Sequence, residues 1–184
     1  SGCVSCGQCS LACPTGALFR TEFDTVVVQQ DICNGCGYCV PACPFGVIDV
    51  SADDGKAHKC TLCYDRLRAG QEPACAKACP TDSIQFGEVE ELEQRASDRV
   101  DGLHRQGVEN AYLYGARGSP GATGGLERLN AFFLLTDDPE VYNLPLRPSR
   151  PASRAAPSLA AGLATAAGLM AAAAFLFTRG HDHE

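Results

Sequence analysis

The stretch CNGCGYCVPACPFGVI, residues 33–48, sets four cysteines apart by two, two and three residues and closes the series on Cys-Pro. The same plan stands earlier in CVSCGQCSLACPTGAL, residues 3–18. It returns with a stretched middle in CTLCYDRLRAGQEPACAKACP, residues 60–80. All twelve cysteines of the 184-residue chain fall into these three quartets. Thiols this close in sequence cannot all reach separate partners with relaxed disulfide geometry, so the quartets read as metal-ligating loops. Three thiolates two residues apart lie on one tight loop that wraps an inorganic centre. The fourth points the other way, and the proline after it turns the chain out of the loop. Gly7, Gly35 and Gly37 leave space for backbone N–H groups to approach the ligand sulfurs.

Cys-x2-Cys-x2-Cys-x3-Cys-Pro is the run with which bacterial ferredoxins bind a cubane [4Fe–4S] cluster, the fourth cysteine serving the neighbouring cluster. Crossed ligation follows as an expectation. Cys3, Cys6, Cys9 and Cys43 hold one cluster, and Cys33, Cys36, Cys39 and Cys13 hold the second. Zinc is the competing metal, but a four-cysteine zinc site requires neither a third cysteine two residues on nor a proline after the fourth. The third quartet, Cys60, Cys63, Cys75 and Cys79, keeps its ends and carries a polar insertion, Tyr64 to Ala74, expected to loop over the surface. Lys59 and Arg66 are cations placed where they could raise a cluster's potential or meet a partner; a solvated face is the simpler reading of both. His58, His104, His181 and His183 show no ligand spacing and read as surface residues.

The expected fold class is α+β: ferredoxin-like cluster-binding repeats with short β-hairpins and helices, plus one C-terminal transmembrane helix. Residues 1–88 form the cluster domain, each Cys-Pro being followed by a strand-like stretch, with TVVVQQ (25–30) as a further strand. Residues 89–146 form an extension that covers and docks. Val89, Leu92, Ala96, Val100 and Leu103 recur at helical steps before Gly107, and AYLYG (111–115) and AFFLLT (131–136) read as strands. Residues 147–157 are a Pro/Arg linker. Residues 158–177 carry no charge and at ~1.5 Å per residue would span about 30 Å, one bilayer core. Nine of those twenty residues are alanine, so an Ala-rich surface tail is the competing reading. Gly162 and Ala166 form a small-xxx-small pair suited to packing on another membrane helix. Residues 178–184 form a polar tail. The formal net charge of −7 and the lack of a basic, aromatic-interleaved patch exclude nucleic acid as a partner.

CNGCGYCVPACPFGV, KCTLCYDRLRAGQEPACAKACPTDSIQFG and AFFLLTDDPEVYNLP together resemble the four-cluster electron-transfer subunits of molybdopterin oxidoreductases. Within that family they are similar to the iron–sulfur (β) subunit of membrane-bound formate dehydrogenase. The resemblance implies a non-catalytic subunit that passes electrons one at a time. They would run from a molybdenum- or tungsten-pterin α subunit that oxidises formate to a cytochrome b γ subunit and quinone. It also implies a single-pass place in the inner membrane, anchored in lipid through residues 158–177, with the cluster domain periplasmic. Arg147, Arg150 and Arg154 before the span against Arg179 after it favour the opposite side. The family has four quartets, the first exchanging its fourth cysteine with the last, whereas three are present here. The third cluster (Cys60, Cys63, Cys75) thus lacks a fourth ligand, and Cys79 lacks its companions. The expectation is an N-terminal truncation carrying a fourth cluster's ligands; local closure of the third cluster by Cys79 is the alternative. Other readings are the equivalent subunit of a hydrogenase or a dimethyl-sulfoxide-type reductase, and a membrane-tethered ferredoxin carrier.

Overall fold

Each quartet ends in one short helix that delivers its last cysteine. Helix α1 (Gln8–Ala12) leads to Cys13, α2 (Cys39–Ala42) to Cys43, and α4 (Ala74–Ala78) to Cys79. The three terminating cysteines leave the helix alike, with ψ of 113°, 109° and 109°. The following proline is the cause: its ring clashes with an α-helical residue before it and forces that residue into extended backbone. The computed structural model describes residues 2–122, 126, 129–150 and 161–173. They belong to two compact units, Ser1–Arg150 and Pro151–Glu184.

In the first two repeats the chain beyond Cys-Pro forms a two-stranded antiparallel hairpin. β1 (Leu18–Arg20) pairs with β2 (Val26–Val28), Leu18 opposite Val28. β3 (Ile48–Val50) pairs with β4 (Ala57–Lys59), Ile48 opposite Lys59. α1 packs on α2, and β2 on β4, so the two repeats meet along their helices and their inner strands. The third repeat departs from this plan. The stretch after Cys79 forms no strand, and Ile84 and Phe86 stay 48% and 53% exposed. The segment that would pair with it is already helical, and a lone strand leaves its backbone groups unpaired. The insertion between Cys63 and Cys75 is also not a plain loop. It begins as helix α3 (Tyr64–Arg68), with no buried residue.

Helix α5 (Val89–Arg105) forms as its periodicity predicts. Its apolar stripe is half-buried, no residue of it is fully buried, and its main packing partner is β5 (Tyr112–Tyr114) rather than the cysteine hairpins. β5 pairs antiparallel with β6 (Phe133–Leu135), and a 3-10 turn follows at Pro139–Tyr142. The extension and the cysteine loops share one core, in which Val4 and Phe45 meet Tyr114, Leu126, Leu129, Leu135 and Leu144. A second core joins Leu18, Val26, Ile48 and Ala57 to the thiols of Cys9 and Cys39. The apolar content of the first repeats is therefore arranged around cysteine sulfur.

In the second unit, residues 161–173 form helix α6. Among the described residues no helix is long and apolar enough to cross a membrane. Both ends of the expected span at 158–177, the stretch 151–157 of the linker and the tail at 178–184 lie outside the described residues.

Tyr114 is fully buried, and its hydroxyl donates to the Pro145 carbonyl at 2.5 Å. Tyr114→Ala should therefore empty the shared core and cost about 3–5 kcal/mol, within the range for large aromatic truncations. Denaturant unfolding of the iron-loaded protein measures it, and a loss below about 1 kcal/mol would contradict the shared core.

Candidate iron–sulfur centres

Cys3, Cys6 and Cys9 of the first loop and Cys43 of the second repeat line a single small cavity. Val26, Phe45 and Ile48 wall it with apolar surface, and Lys59 contributes the one cation of the lining. Cys3 and Cys9 are buried and Cys6 and Cys43 half-buried. The loop turns sharply to achieve this, with Ser5 and Gly7 both at positive φ, 55° and 75°. A Cβ at Gly7 would stand 2.7 Å from Arg20 Nη2, and that guanidinium in turn donates to the Ser5 carbonyl at 2.8 Å. The Ser5 N–H reaches back to Cys3 Sγ at 3.4 Å. Among the described residues the buried Ser5 hydroxyl has no hydrogen-bond partner.

Crowded, desolvated thiols resist ionisation. Burial pushes the Cys9 thiol up to about 12 against a smaller downward pull from Lys59, with Cys3, Cys6 and Cys43 adding to the rise. Burial also raises Cys6, opposed by the Gln8 N–H and reinforced by Cys43 and Cys3.

The second group is its counterpart with the repeats exchanged. Burial raises the Cys39 thiol against a hydrogen bond from its own N–H, and the charges that then act on it are Cys33, Cys36 and Cys13. Cys13 comes from the end of α1 and so from the first repeat. Burial raises Cys13 too. Donation from the Thr15 hydroxyl and from the Leu18, Thr15 and Ala17 N–H groups outweighs it and brings the thiol down to about 7. The Ala57 N–H, on β4, donates to Cys33 Sγ at 3.4 Å. Gly35 serves a different end from the one its position in the motif implies. A Cβ there would lie 2.1 Å from the Gly55 carbonyl oxygen, so the close approach is between loop and hairpin turn.

The third quartet lies open. Cys60 and Cys75 are exposed and Cys63 is half-buried. Cys60 Sγ accepts from the Leu62 N–H and Cys63 Sγ from the Ala74 N–H, each at 3.4 Å. Cys79 belongs to a separate environment. The groups acting on its thiol are the Thr81 hydroxyl and then the Ile84, Thr81 and Ser83 N–H groups, all on its own loop, which lower it to about 7. Its surroundings repeat those of Cys13, down to the threonine two residues on.

The donor set suits a cubane. Among the described residues no three Cys, His, Asp or Glu side chains converge tightly enough for a single ion. A cubane offers each of four thiolates its own iron at a separate corner, which suits four cysteines spread around one cavity. Residues 1–89 match the family described as a 4Fe-4S dicluster domain. The chain therefore resembles 4Fe-4S dicluster domains through residues 1–89. It is similar to the formate dehydrogenase iron-sulfur subunit of Haemophilus influenzae, 43% identical over 147 residues, or 77% of this chain and 45% of that protein. It is also similar to the formate dehydrogenase-O iron-sulfur subunit of Escherichia coli, 40% identical over 153 residues, or 80% and 49%. With a thiosulfate reductase electron transfer subunit of Salmonella typhi it shares 49% identity over 96 residues, 49% of this chain and 50% of that protein. The chain spans about half the length of the curated relatives it matches. The dicluster domain and the twelve cysteines fit several [4Fe–4S] clusters.

A cysteine binds iron only after losing its proton, and burial holds the Cys9 proton up to about 12. Iron loading therefore releases protons across the whole neutral range, and retention weakens as pH falls. Anaerobic extraction by a ferrous chelator should be faster at about pH 6 than at about pH 8; equal rates would contradict coupling to a buried thiol.

Proposed function

We propose that this chain is the electron-transfer subunit of a formate dehydrogenase-type complex and converts no substrate itself. The observation that carries the reading is the placement of two cysteines: Cys43 lines the cavity of Cys3, Cys6 and Cys9, and Cys13 lies near enough to Cys39 to act on its thiol. Its similarity to formate dehydrogenase iron–sulfur subunits extends well beyond the cysteine loops and supports the choice of complex. Cys3, Cys6, Cys9 and Cys43 hold the first cluster, and Cys33, Cys36, Cys39 and Cys13 the second. Cys60, Cys63 and Cys75 hold a third, with Cys79 closing it or serving a further quartet. A [4Fe–4S] cluster bound in such a site supplies one-electron redox chemistry. Around it, Val26, Phe45 and Ile48 keep water from the sulfurs, and the Ser5 and Ala57 N–H groups offset thiolate charge.

The donor is a catalytic subunit carrying molybdenum or tungsten pterin, and the acceptor is a membrane cytochrome b subunit. Residues 158–177 anchor the chain in the inner membrane, with the cluster domain on the periplasmic side. A second reading keeps the same wiring with another catalytic partner. The 49% identity to the thiosulfate reductase subunit over the cysteine-rich part favours it.

Exchange of the fourth cysteines predicts which variant empties which site. Cys43→Ala should remove the cluster of Cys3, Cys6 and Cys9, and Cys13→Ala that of Cys33, Cys36 and Cys39. Each should cost about four irons per chain by iron and sulfide analysis; unchanged iron in both would refute the exchange. Function is tested by adding formate to the chain copurified with its pterin subunit. Formate should reduce its iron–sulfur EPR signals, and thiosulfate should not reoxidise them. Signals that ignore formate but are reoxidised by thiosulfate would decide for the second reading.

A further inference from the structure

Lys59 ends β4 and immediately precedes the first cysteine of the third quartet, yet its side chain turns back toward the first site. Its ammonium lies 3.6 Å from Cys3 Sγ. It also donates to the Val26 carbonyl and, at 2.7 Å, to the Cys60 carbonyl. The residue is half-buried, and no carboxylate pairs with it among the described residues. A partly desolvated ammonium held only by carbonyls and a thiol has no counter-charge until the cavity beside it carries one. The other cation near this site, Arg20, is already paired with Asp24 at 2.8 Å. The second site differs. Its thiols take hydrogen bonds from Ala57 and from Thr15, and none from a lysine or arginine among the described residues.

We infer that Lys59 is a positioning residue. Its fixed positive charge raises the reduction potential at the Cys3–Cys6–Cys9–Cys43 site above that at the Cys13–Cys33–Cys36–Cys39 site. The inference rests on the proposed cluster binding and adds an order to it: the first site is where an electron shared by the buried pair resides. Reduction there adds one electron and one negative charge. No bond forms or breaks. The contact with the Cys60 carbonyl places the same charge between the first and third sites, so the third feels it more weakly, through backbone rather than through sulfur.

The test is an EPR-monitored redox titration of the iron-loaded chain, with dithionite and mediator dyes supplying electrons, for wild type, Lys59→Met and Lys59→Arg. Lys59→Met should lower the reduction equilibrium constant of one cluster about tenfold, which is about 59 mV for a one-electron couple. Lys59→Arg, which keeps the charge, should stay near wild type. Fully loaded Lys59→Met with unchanged potentials overturns the inference, as does an Arg variant that shifts as far as Met. If the Met variant fails to load iron, Lys59→Gln, which keeps a donor for the two carbonyls, is titrated in its place. Failure of both neutral variants to load would make Lys59 a structural tie and also overturn it. A wild-type chain without any iron–sulfur signal would instead refute the proposed function itself.

Discussion

The two cysteine loops of the first repeats reach into each other's surroundings. Cys43 is made by the second repeat and delivered to the cavity of the first, while Cys13 travels the opposite way. The prolines after them matter because they fix the extended backbone that points each thiol across the gap. α1 must then lie against α2, and β2 against β4, since these elements carry or brace the exchanged groups. The two halves also share an apolar core in which residues of both hairpins pack on Cys9 and Cys39.

Crowding the cysteines has an electrostatic cost. Four thiols gathered in an apolar cavity repel one another as they ionise, which is why burial and neighbouring cysteines together drive Cys9 upward. The chain offsets this with backbone N–H groups aimed at sulfur from Ser5, Ala57, Leu62 and Ala74. Among the described residues Lys59 adds a positive charge that no carboxylate pairs, and it does so beside the first site. Two loops of near-identical spacing thereby acquire different electrostatic surroundings, so the symmetry of the sequence is broken by a residue outside both motifs.

Cysteine spacing and the Cys-Pro endings carry the expectation of an exchange, because short-range stereochemistry dictates both. The helix at 89–105 was equally legible from its stripe. What could not be read depended on contacts distant in the chain. Lys59 looks like any surface lysine until β4 is known to pass beside Cys3. Gly35 looks like a cluster-loop glycine until the Gly55 carbonyl is found beneath it. The strand expected after Cys79 has the right residues but no neighbour to pair with, and composition does not show whether a neighbour exists. The helix in the 64–74 insertion was hidden by its polarity, which suits an exposed helix as well as a loop.

The quartets also differ in shelter, from two buried cysteines in the first site, through one in the second, to none in the third. Dioxygen attacks an iron–sulfur centre more readily where solvent reaches its sulfurs. Oxidative damage should thus have a direction in this chain, entering around Cys60 and Cys75 and reaching the cavity behind Val26 and Phe45 last. A protein purified in air would keep its innermost centre after losing the outer one.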